Sequence, residues 1–361
     1  MIGIAMKAIL LAGGLGTRLR PLTLHTPKPI VPIFNRPFLY YQIDLLRQIP
    51  EIDEVILSLN YQPQRIEEIV GDGAALGIKV RYLVEPKPLG TAGAVKYADK
   101  YLDGSVIVFN GDILTQIDLR AVLQLHRDRR ARATIVLTPV ASPSAYGLVE
   151  TDAEGNVRQF LEKPDPEAIT CNTINAGIYI LEPATFDRIP AETTWSIERS
   201  YFPSLVDRRE TFVAYIERGY WIDMGTPAQY RQLHHDIMDG RYTAPPFADQ
   251  PGTGNNVSTQ AQIEGDVEVE GPCFIDADCL VRTGARLRPY TVLGRGCRVD
   301  EGAVVDDSIV WADTQIGPRS SVRRSILGRG CRVGRGSVVG PDAVLGDESI
   351  VTEYDKADAR G

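Results

Sequence analysis

A chain of 361 residues that is 43% hydrophobic and 24% charged has the make-up of an ordinary soluble globular protein, with room for two domains. Its net charge of −8 and pI near 5.2 exclude a nucleic-acid-binding or anionic-membrane surface, since either needs a basic face. No apolar run approaches a membrane span and Met1–Ala5 is too short and uncharged for a secretion signal, so the cytoplasm is the expected compartment, with Met6 as an alternative start.

The first predicted element is an apolar strand, Ala8–Leu11, that runs into Gly13, Gly14, Gly16, Thr17 and Arg18. Glycines after a strand let backbone N–H groups close around phosphate oxygens. The run Gly14–Leu19 begins like a dinucleotide fingerprint but has leucine where the third glycine belongs, and no Gly-Lys-Ser/Thr follows as in a P-loop. Two readings remain. One is a phosphate cradle in which Arg18 and Lys28 meet a triphosphate and its leaving pyrophosphate; the other is a plain strand-to-helix turn with surface cations.

Further strands are predicted at Glu54–Leu59, Ile78–Val84, Ser105–Phe109, Thr134–Val140 and Phe212–Ile216, with helices at Tyr40–Arg47, Thr91–Tyr101 and Leu119–Arg129. This alternation implies a Rossmann-like, mostly parallel α/β sheet that binds ligands at its strand ends. Asp112 follows the strand Ser105–Phe109, where it is either a ligand-facing carboxylate or the cap of the next helix. Asp223 is a second acid, beside an aromatic and a glycine. Two carboxylates reaching one point would hold Mg²⁺ together with substrate phosphates. Lys163 lies at a strand exit, and Tyr146-Gly147 and Asn175-Ala176-Gly177 mark turns open to a hydroxyl-rich ligand. His234 and His235 end a helix with no spaced partner and read as packing residues.

Residues 241–256 are rich in Pro, Gly and small polar residues and read as a linker after a 1–240 domain. Aliphatic residues then recur every six positions from Val257 to Val351, with two five-residue steps, and small residues hold a second position in phase. That period is the signature of a hexapeptide-repeat, left-handed parallel β-helix over 257–351, leaving 352–361 as a tail. Four of the five cysteines, Cys273, Cys279, Cys297 and Cys331, fall at the small-residue position and read as core fillers, not ligands.

Taken together, GGLGTRLRPLT with PKP, EPKPLGTAGA, FNGD, YGLVE, EKP, INAGIYIL, SIERSYFP and GYWIDMGTP resemble the sugar-nucleotide pyrophosphorylases, the nucleotidyltransferases that join an NTP and a sugar 1-phosphate with release of pyrophosphate. The resemblance covers essentially the whole chain and is greatest to the mannose-1-phosphate guanylyltransferase branch. It implies a nucleotide site of Leu11, Ala12, Gly13, Gly14, Gly16, Thr17, Arg18, Lys28, Glu85, Gly90 and Thr91. It further implies a sugar-phosphate site of Gly147, Glu162, Lys163 and Asn175, with Mg²⁺ on Asp112 and Asp223. Arg18, Lys28, Asp112, Lys163 and Asp223 would carry catalysis, and a homo-oligomer is expected.

Branches of this family that use dTTP or UTP resemble one another in a glutamine five residues before a glycine; here that spacing is Glu85 to Gly90. A carboxylate only accepts hydrogen bonds, which suits the N1–H and N2 amino group of guanine and not the carbonyl-flanked N–H of uracil or thymine. The other reading of Glu85 is a solvent-facing residue after the strand Ile78–Val84. With Glu85 on the base GTP is expected, and the resemblance implies mannose 1-phosphate as its partner, with thymidylyl, uridylyl or adenylyl transfer to glucose 1-phosphate as alternatives. A non-catalytic regulatory subunit of the same fold would lack the charged residues, all of which are present. An acyltransferase in the repeat region would need a histidine there, and His25, His126, His234 and His235 all precede it. The repeat region is thus expected to serve assembly or regulation, its deletion altering association more than chemistry.

Overall fold

The computed structural model describes residues 6–143, 146–162, 169–247 and 254–358. The chain forms two compact units whose division does not follow the sequence: 1–14 with 41–221, and 15–40 with 222–361. The boundary expected near residue 240 separates two sequence patterns, whereas the contacts put the second half of the glycine-rich loop in the same unit as the repeats.

The first unit is built on a nine-stranded mixed sheet. Its strands are β1 (Met6–Leu11), β2 (Ile52–Leu59), β3 (Lys79–Val84), β4 (Val106–Asn110), β5 (Ala133–Pro139), β6 (Gly147–Thr151), β7 (Val157–Glu162), β8 (Thr173–Leu181) and β9 (Phe212–Ile216). The order is β7-β6-β8-β4-β1-β2-β3, with β5 also on β8 and β9 on β5. Strands β4, β1, β2 and β3 are parallel. β1 and β4 read as continuous apolar runs because both faces are covered, and Ile9, Val106 and Val108 are buried. The other half turns on β8, which pairs antiparallel with β4, β5 and β6. Helices α1 (Phe38–Leu46), α2 (Pro63–Val70), α3 (Gly90–Ala98), α4 (Leu119–Asp128) and α5 (Phe202–Asp207) connect the strands. Phe202 stacks on Phe212 at 5.1 Å and meets Tyr179 edge-on at 5.0 Å within the core.

The second unit contains α6 (Pro227–Met238) and three parallel six-stranded sheets, as a left-handed β-helix requires. Phe274 pairs with Val292 at a step of 18 residues, and Val292 with Ile309 at a step of 17, so the two short repeats are absorbed without losing register. The aliphatics that mark the period point inward from Ile275 to Val339, as Val281, Leu287, Leu293 and Val299 do, whereas Val257 and Ile263 at the start of the repeats are exposed. The four repeat cysteines are buried and free; Cys297 and Cys331 donate to the carbonyls of Trp311 and Gly346, each at 3.1 Å. Burial pushes the Cys331 thiol up to about 11, which keeps it protonated and inert.

The repeat continues past Val351. A last strand, Lys356–Ala357, joins the third sheet inside the expected tail, because the step of six lands on Ala357, which packs on the core without being one of the larger aliphatics that mark the period. In the expected linker, Tyr242 and Ala244 are buried. No helix among the described residues is long and apolar enough to cross a membrane.

Candidate functional site

In the first unit the glycine loop leaves β1 between the ends of β2 and β4. Ala12 N–H donates to the Ser58 carbonyl (2.9 Å) and Gly111 N–H to the Leu11 carbonyl (3.0 Å). A Cβ on Gly111 would lie 2.4 Å from that carbonyl oxygen, so the residue before Asp112 has to be glycine. Gln42 of α1, buried, clamps the turn from the other side by donating to the carbonyls of Asn110 (2.9 Å) and Ile113 (3.0 Å). Asp112 is therefore set on a turn pinned at three points. The cap of α4 is Asp118, which accepts from Arg120 N–H and Ala121 N–H, so Asp112 is not the helix cap.

Glu85 lies directly after β3 and is buried. Ser58 donates to its Oε1 at 2.9 Å and Leu89 N–H to its Oε2 at 2.8 Å. Burial pushes the carboxyl above its ordinary value, against the pull of the Leu89 and Ser58 bonds. The position of a Cβ on Gly13 would be 3.5 Å from Oε1, which puts the carboxylate beside the glycine loop. Each oxygen retains a second acceptor site. The neighbouring positions Gly90 and Thr91 are engaged with 193–198. Gly90 is left-handed (φ +70°), and a Cβ on it would lie 2.8 Å from the Trp195 carbonyl oxygen, so the position has to be glycine. Thr91 Oγ1 accepts from Ile197 N–H (2.8 Å) and donates to Glu198 (3.2 Å).

Asn175 sits at a register break in the β8–β5 pairing, where Gly177 takes φ +77°. A bulge of this kind turns a side chain out of the ladder. Asn175 Oδ1 accepts from Gly177 N–H (2.9 Å), and its Nδ2 donates to the Tyr179 hydroxyl (2.8 Å). Burial first, then the Glu198 carboxylate, raise the Tyr179 hydroxyl well above its ordinary value; Asn175 and Asn110 hydrogen bonds oppose this, and the Asp112 charge adds to it. Asn110, Asp112, Asn175, Tyr179 and Glu198 thus form one polar cluster in this unit. Trp221 Nε1 donates to the Ala176 carbonyl (2.9 Å), and its ring meets Tyr146 edge-on at 5.7 Å. Gly147 opens β6 opposite Glu162 of β7. Lys163 lies outside the described residues, as does the Glu162 side chain.

In the second unit Gly16 takes a left-handed conformation (φ +60°) and Thr17–Leu19 make one 3₁₀ turn. Thr23 Oγ1 closes the loop by donating to the Gly16 carbonyl at 2.8 Å. A Cβ on Gly16 would be 3.2 Å from Lys28 Cβ, so the glycine lets the Lys28 stem pass; Lys28 is buried. Arg18 is exposed, with Nη2 3.9 Å from Asp223 Oδ2. Its guanidinium lies over Gly225, where a Cβ would come within 2.7 Å of Nη2. Thr226 caps α6 by accepting from Gln229 N–H, so Asp223 is fixed at the entry to that helix.

Asp112 lies in the first unit and Asp223 in the second. Each is a hard oxygen donor of the kind of which Mg²⁺ takes one or two, with water and substrate phosphates completing its shell. Among the described residues no group of three or more His, Cys, Asp or Glu could hold a metal. Gln42, Asn110, Tyr179, Glu198 and Gly225 were not singled out by the sequence. Asn110, Tyr179, Glu198 and Gly225 fall within the motifs FNGD, INAGIYIL, SIERSYFP and GYWIDMGTP, whereas nothing local marks the buried Gln42 as a brace.

The nucleotidyl transferase family model matches residues 7–240, and the GMPPB C-terminal domain model matches residues 269–354. The chain is 37% identical over 314 residues to a mannose-1-phosphate guanylyltransferase of Mycobacterium tuberculosis, covering 86% of this chain and 81% of that protein. It is 31% identical over 330 residues to a UTP–glucose-1-phosphate uridylyltransferase of Synechocystis, covering 87% and 84%. Among solved structures, HddC from Yersinia pseudotuberculosis complexed with GMP-PN is similar with a TM-score of 0.55 and 31% identity, over 64% of this chain and 99% of that one.

Proposed function

The chain belongs to the nucleotidyl transferase family, and from that premise we propose that it joins GTP to mannose 1-phosphate, forming GDP-mannose and pyrophosphate. It is an enzyme of the nucleotidyltransferase class with a nucleotide and a sugar phosphate as substrates. The observation that carries the choice of base is Glu85, a buried carboxylate beside the glycine loop with a free acceptor site on each oxygen. Such a group complements the paired N–H donors of guanine and repels the carbonyls of uracil. The name of the Mycobacterium relative and the guanine nucleotide in the HddC complex point the same way.

In the reaction a phosphate oxygen of the sugar 1-phosphate attacks the α-phosphorus. A new P–O bond forms as the bond from the α-phosphorus to the bridging oxygen of the β-phosphate breaks, and pyrophosphate leaves with that electron pair. The nucleophile is already an anion, so no Ser, Cys or His is needed; the barrier lies in bringing polyanions together in line. Arg18 receives the departing pyrophosphate and Lys28 steadies the triphosphate. Lys163 places the incoming phosphate, while Gly147, Glu162 and Asn175 contact the sugar. Asp112 and Asp223 would hold Mg²⁺, which when bound supplies positive charge at the α-phosphate. We expect a cytoplasmic enzyme and a homo-oligomer.

The test is a matrix of NTPs against sugar 1-phosphates scored by pyrophosphate release. GTP with mannose 1-phosphate should give the highest kcat/KM. Turnover of dTTP or UTP with glucose 1-phosphate at least as fast would reject the base and sugar while leaving the reaction class.

A further inference from the structure

The second unit holds both the segment that carries Arg18 and Lys28 and the β-helix, and the segment is fastened to the β-helix at two places. Pro21, three residues after Arg18, packs against Gly346, where a Cβ would already press on it at 3.2 Å. Beyond Lys28 the chain makes a short hairpin, Pro32–Ile33 with Arg36–Pro37. Its tip, Phe34 and Asn35, has φ of +47° and +62°. A bulky aromatic in the left-handed region is disfavoured and persists where contacts over-determine it. Here Phe34 is held between the rings of His234 and Phe274, each at 4.9 Å, and Asn35 donates to Asp276 of the β-helix.

Between these fastenings runs a buried relay. Trp311 of the β-helix donates through Nε1 to the Tyr230 hydroxyl at 3.0 Å, and Tyr230 donates that hydroxyl's proton to the Pro32 carbonyl. Tyr230 is on α6, seven residues after Asp223, and Pro32 is four residues after Lys28. The hydroxyl is fully buried, with one donor and one acceptor partner, so its two bonds fix α6 and the Lys28 segment relative to one β-helix coil.

We propose that the β-helix is the platform that sets the triphosphate-binding segment, with Trp311 and Tyr230 as positioning residues for the NTP. This rests on the reading of Arg18 and Lys28 as triphosphate ligands, and it gives the repeats a part in nucleotide binding beyond assembly. The sugar-phosphate residues Gly147 and Asn175 are in the other unit and do not share this support.

The experiment is steady-state kinetics of the full-length enzyme, with GTP (or the triphosphate it turns over best) and the sugar 1-phosphate varied in turn. Tyr230→Phe and Trp311→Phe should each raise KM for the NTP at least fivefold while KM for the sugar 1-phosphate stays within twofold. Tyr290→Phe is the control. It deletes the 2.9 Å bond from Tyr290 to Asp239 at the far end of α6, and should lower Tm while leaving both KM values within twofold. The proposal is overturned if folded Tyr230→Phe leaves NTP KM unchanged or raises both KM values together. Should Trp311→Phe fail to fold, Tyr230→Phe, which removes one oxygen, carries the test. Arg18→Gln separates the two layers. A raised NTP KM there with none in Tyr230→Phe sinks the platform alone, whereas an unchanged one overturns the triphosphate reading and the platform with it.

Discussion

Glu85 braces Ser58 and Leu89, and the recognition duty proposed for the same carboxylate can be separated from that bracing by substitution. In Glu85→Gln the amide oxygen can still accept from Leu89 N–H and the NH₂ can donate to Ser58, so the fold should tolerate it. What changes is the face offered to the base: one acceptor becomes a donor, which should erode the GTP-over-UTP preference in kcat/KM by about 1–3 kcal/mol. An unchanged preference, measured by competing the two triphosphates, would remove Glu85 from base reading. Asp112→Asn and Asp223→Asn keep shape and lose charge, so each should lower kcat at least about 100-fold, or about 2.7 kcal/mol, with the melting curve little altered. Full activity of the wild-type enzyme in excess chelator would contradict the metal role. Gly225→Ala probes the pyrophosphate end. The added methyl meets the movable tip of Arg18 and not backbone, so it should displace the guanidinium and reduce kcat/KM for the NTP about tenfold, about 1.4 kcal/mol, at nearly unchanged stability. A normal kcat/KM would show that the guanidinium's resting place over Gly225 is irrelevant. The charged residues of the candidate site were legible in the chain because glycines and strand ends announce them. Their braces were not: Gln42 pins the Asp112 turn from a helix 70 residues earlier, a relation only the fold creates.

At the scale of elements, legibility followed the length of the pattern. The parallel strands are uniform apolar runs, and the repeats hold two positions in phase over many turns. Of the antiparallel strands, β7 was read only through its exit at Lys163, and β8 escaped because it is broken by the bulge at Gly177 and carries Asn175 within it. Helix α6 carries a feature with no sequence mark. His234 is wholly buried between Tyr230 and Phe34, and its Nδ1 lies 2.9 Å from the Tyr230 carbonyl. Burial, against the pull of the Tyr230 carbonyl and with a smaller contribution from the charge of His235, brings its pKa down from 6.5 to about 4. The folded state therefore refuses a proton that the unfolded chain accepts. The stability this imparts is fully present above pH 6.5 and is lost as pH falls from 6.5 towards 4, amounting to about 3 kcal/mol at the acid end. Denaturant midpoints for wild type and His234→Phe should converge over that window, since the variant has no proton to accept. Parallel pH profiles for the two proteins would show that His234 does not titrate as its burial demands.

For the whole molecule, sequence period and spatial grouping divide the chain differently, and the difference has consequences. Periodicity sees the change from mixed α/β to hexapeptide near residue 257, because each stretch repeats its own pattern. It is blind to residues 15–40, a stretch of short 3₁₀ turns and a hairpin with no period, whose side chains pack on the β-helix and α6. Deleting the repeats on the sequence division would leave every proposed catalytic residue present, and chemistry would be expected to survive. Packing argues otherwise. Truncation after Phe247 removes Trp311, Phe274 and Asp276, takes one partner each from Tyr230, Phe34 and Asn35, and exposes rings now buried in the second unit. It leaves Tyr230 on the Pro32 carbonyl and Phe34 on the His234 ring. The lost contacts should cost on the order of several kcal/mol, which is much of a domain's stability. The truncated protein should therefore be recovered poorly, melt well below the full chain, and bind nucleotide at least about tenfold more weakly by calorimetry. A soluble 1–247 fragment with the full chain's NTP affinity would show that the 15–40 segment holds its shape without the repeats, and that the β-helix serves assembly alone.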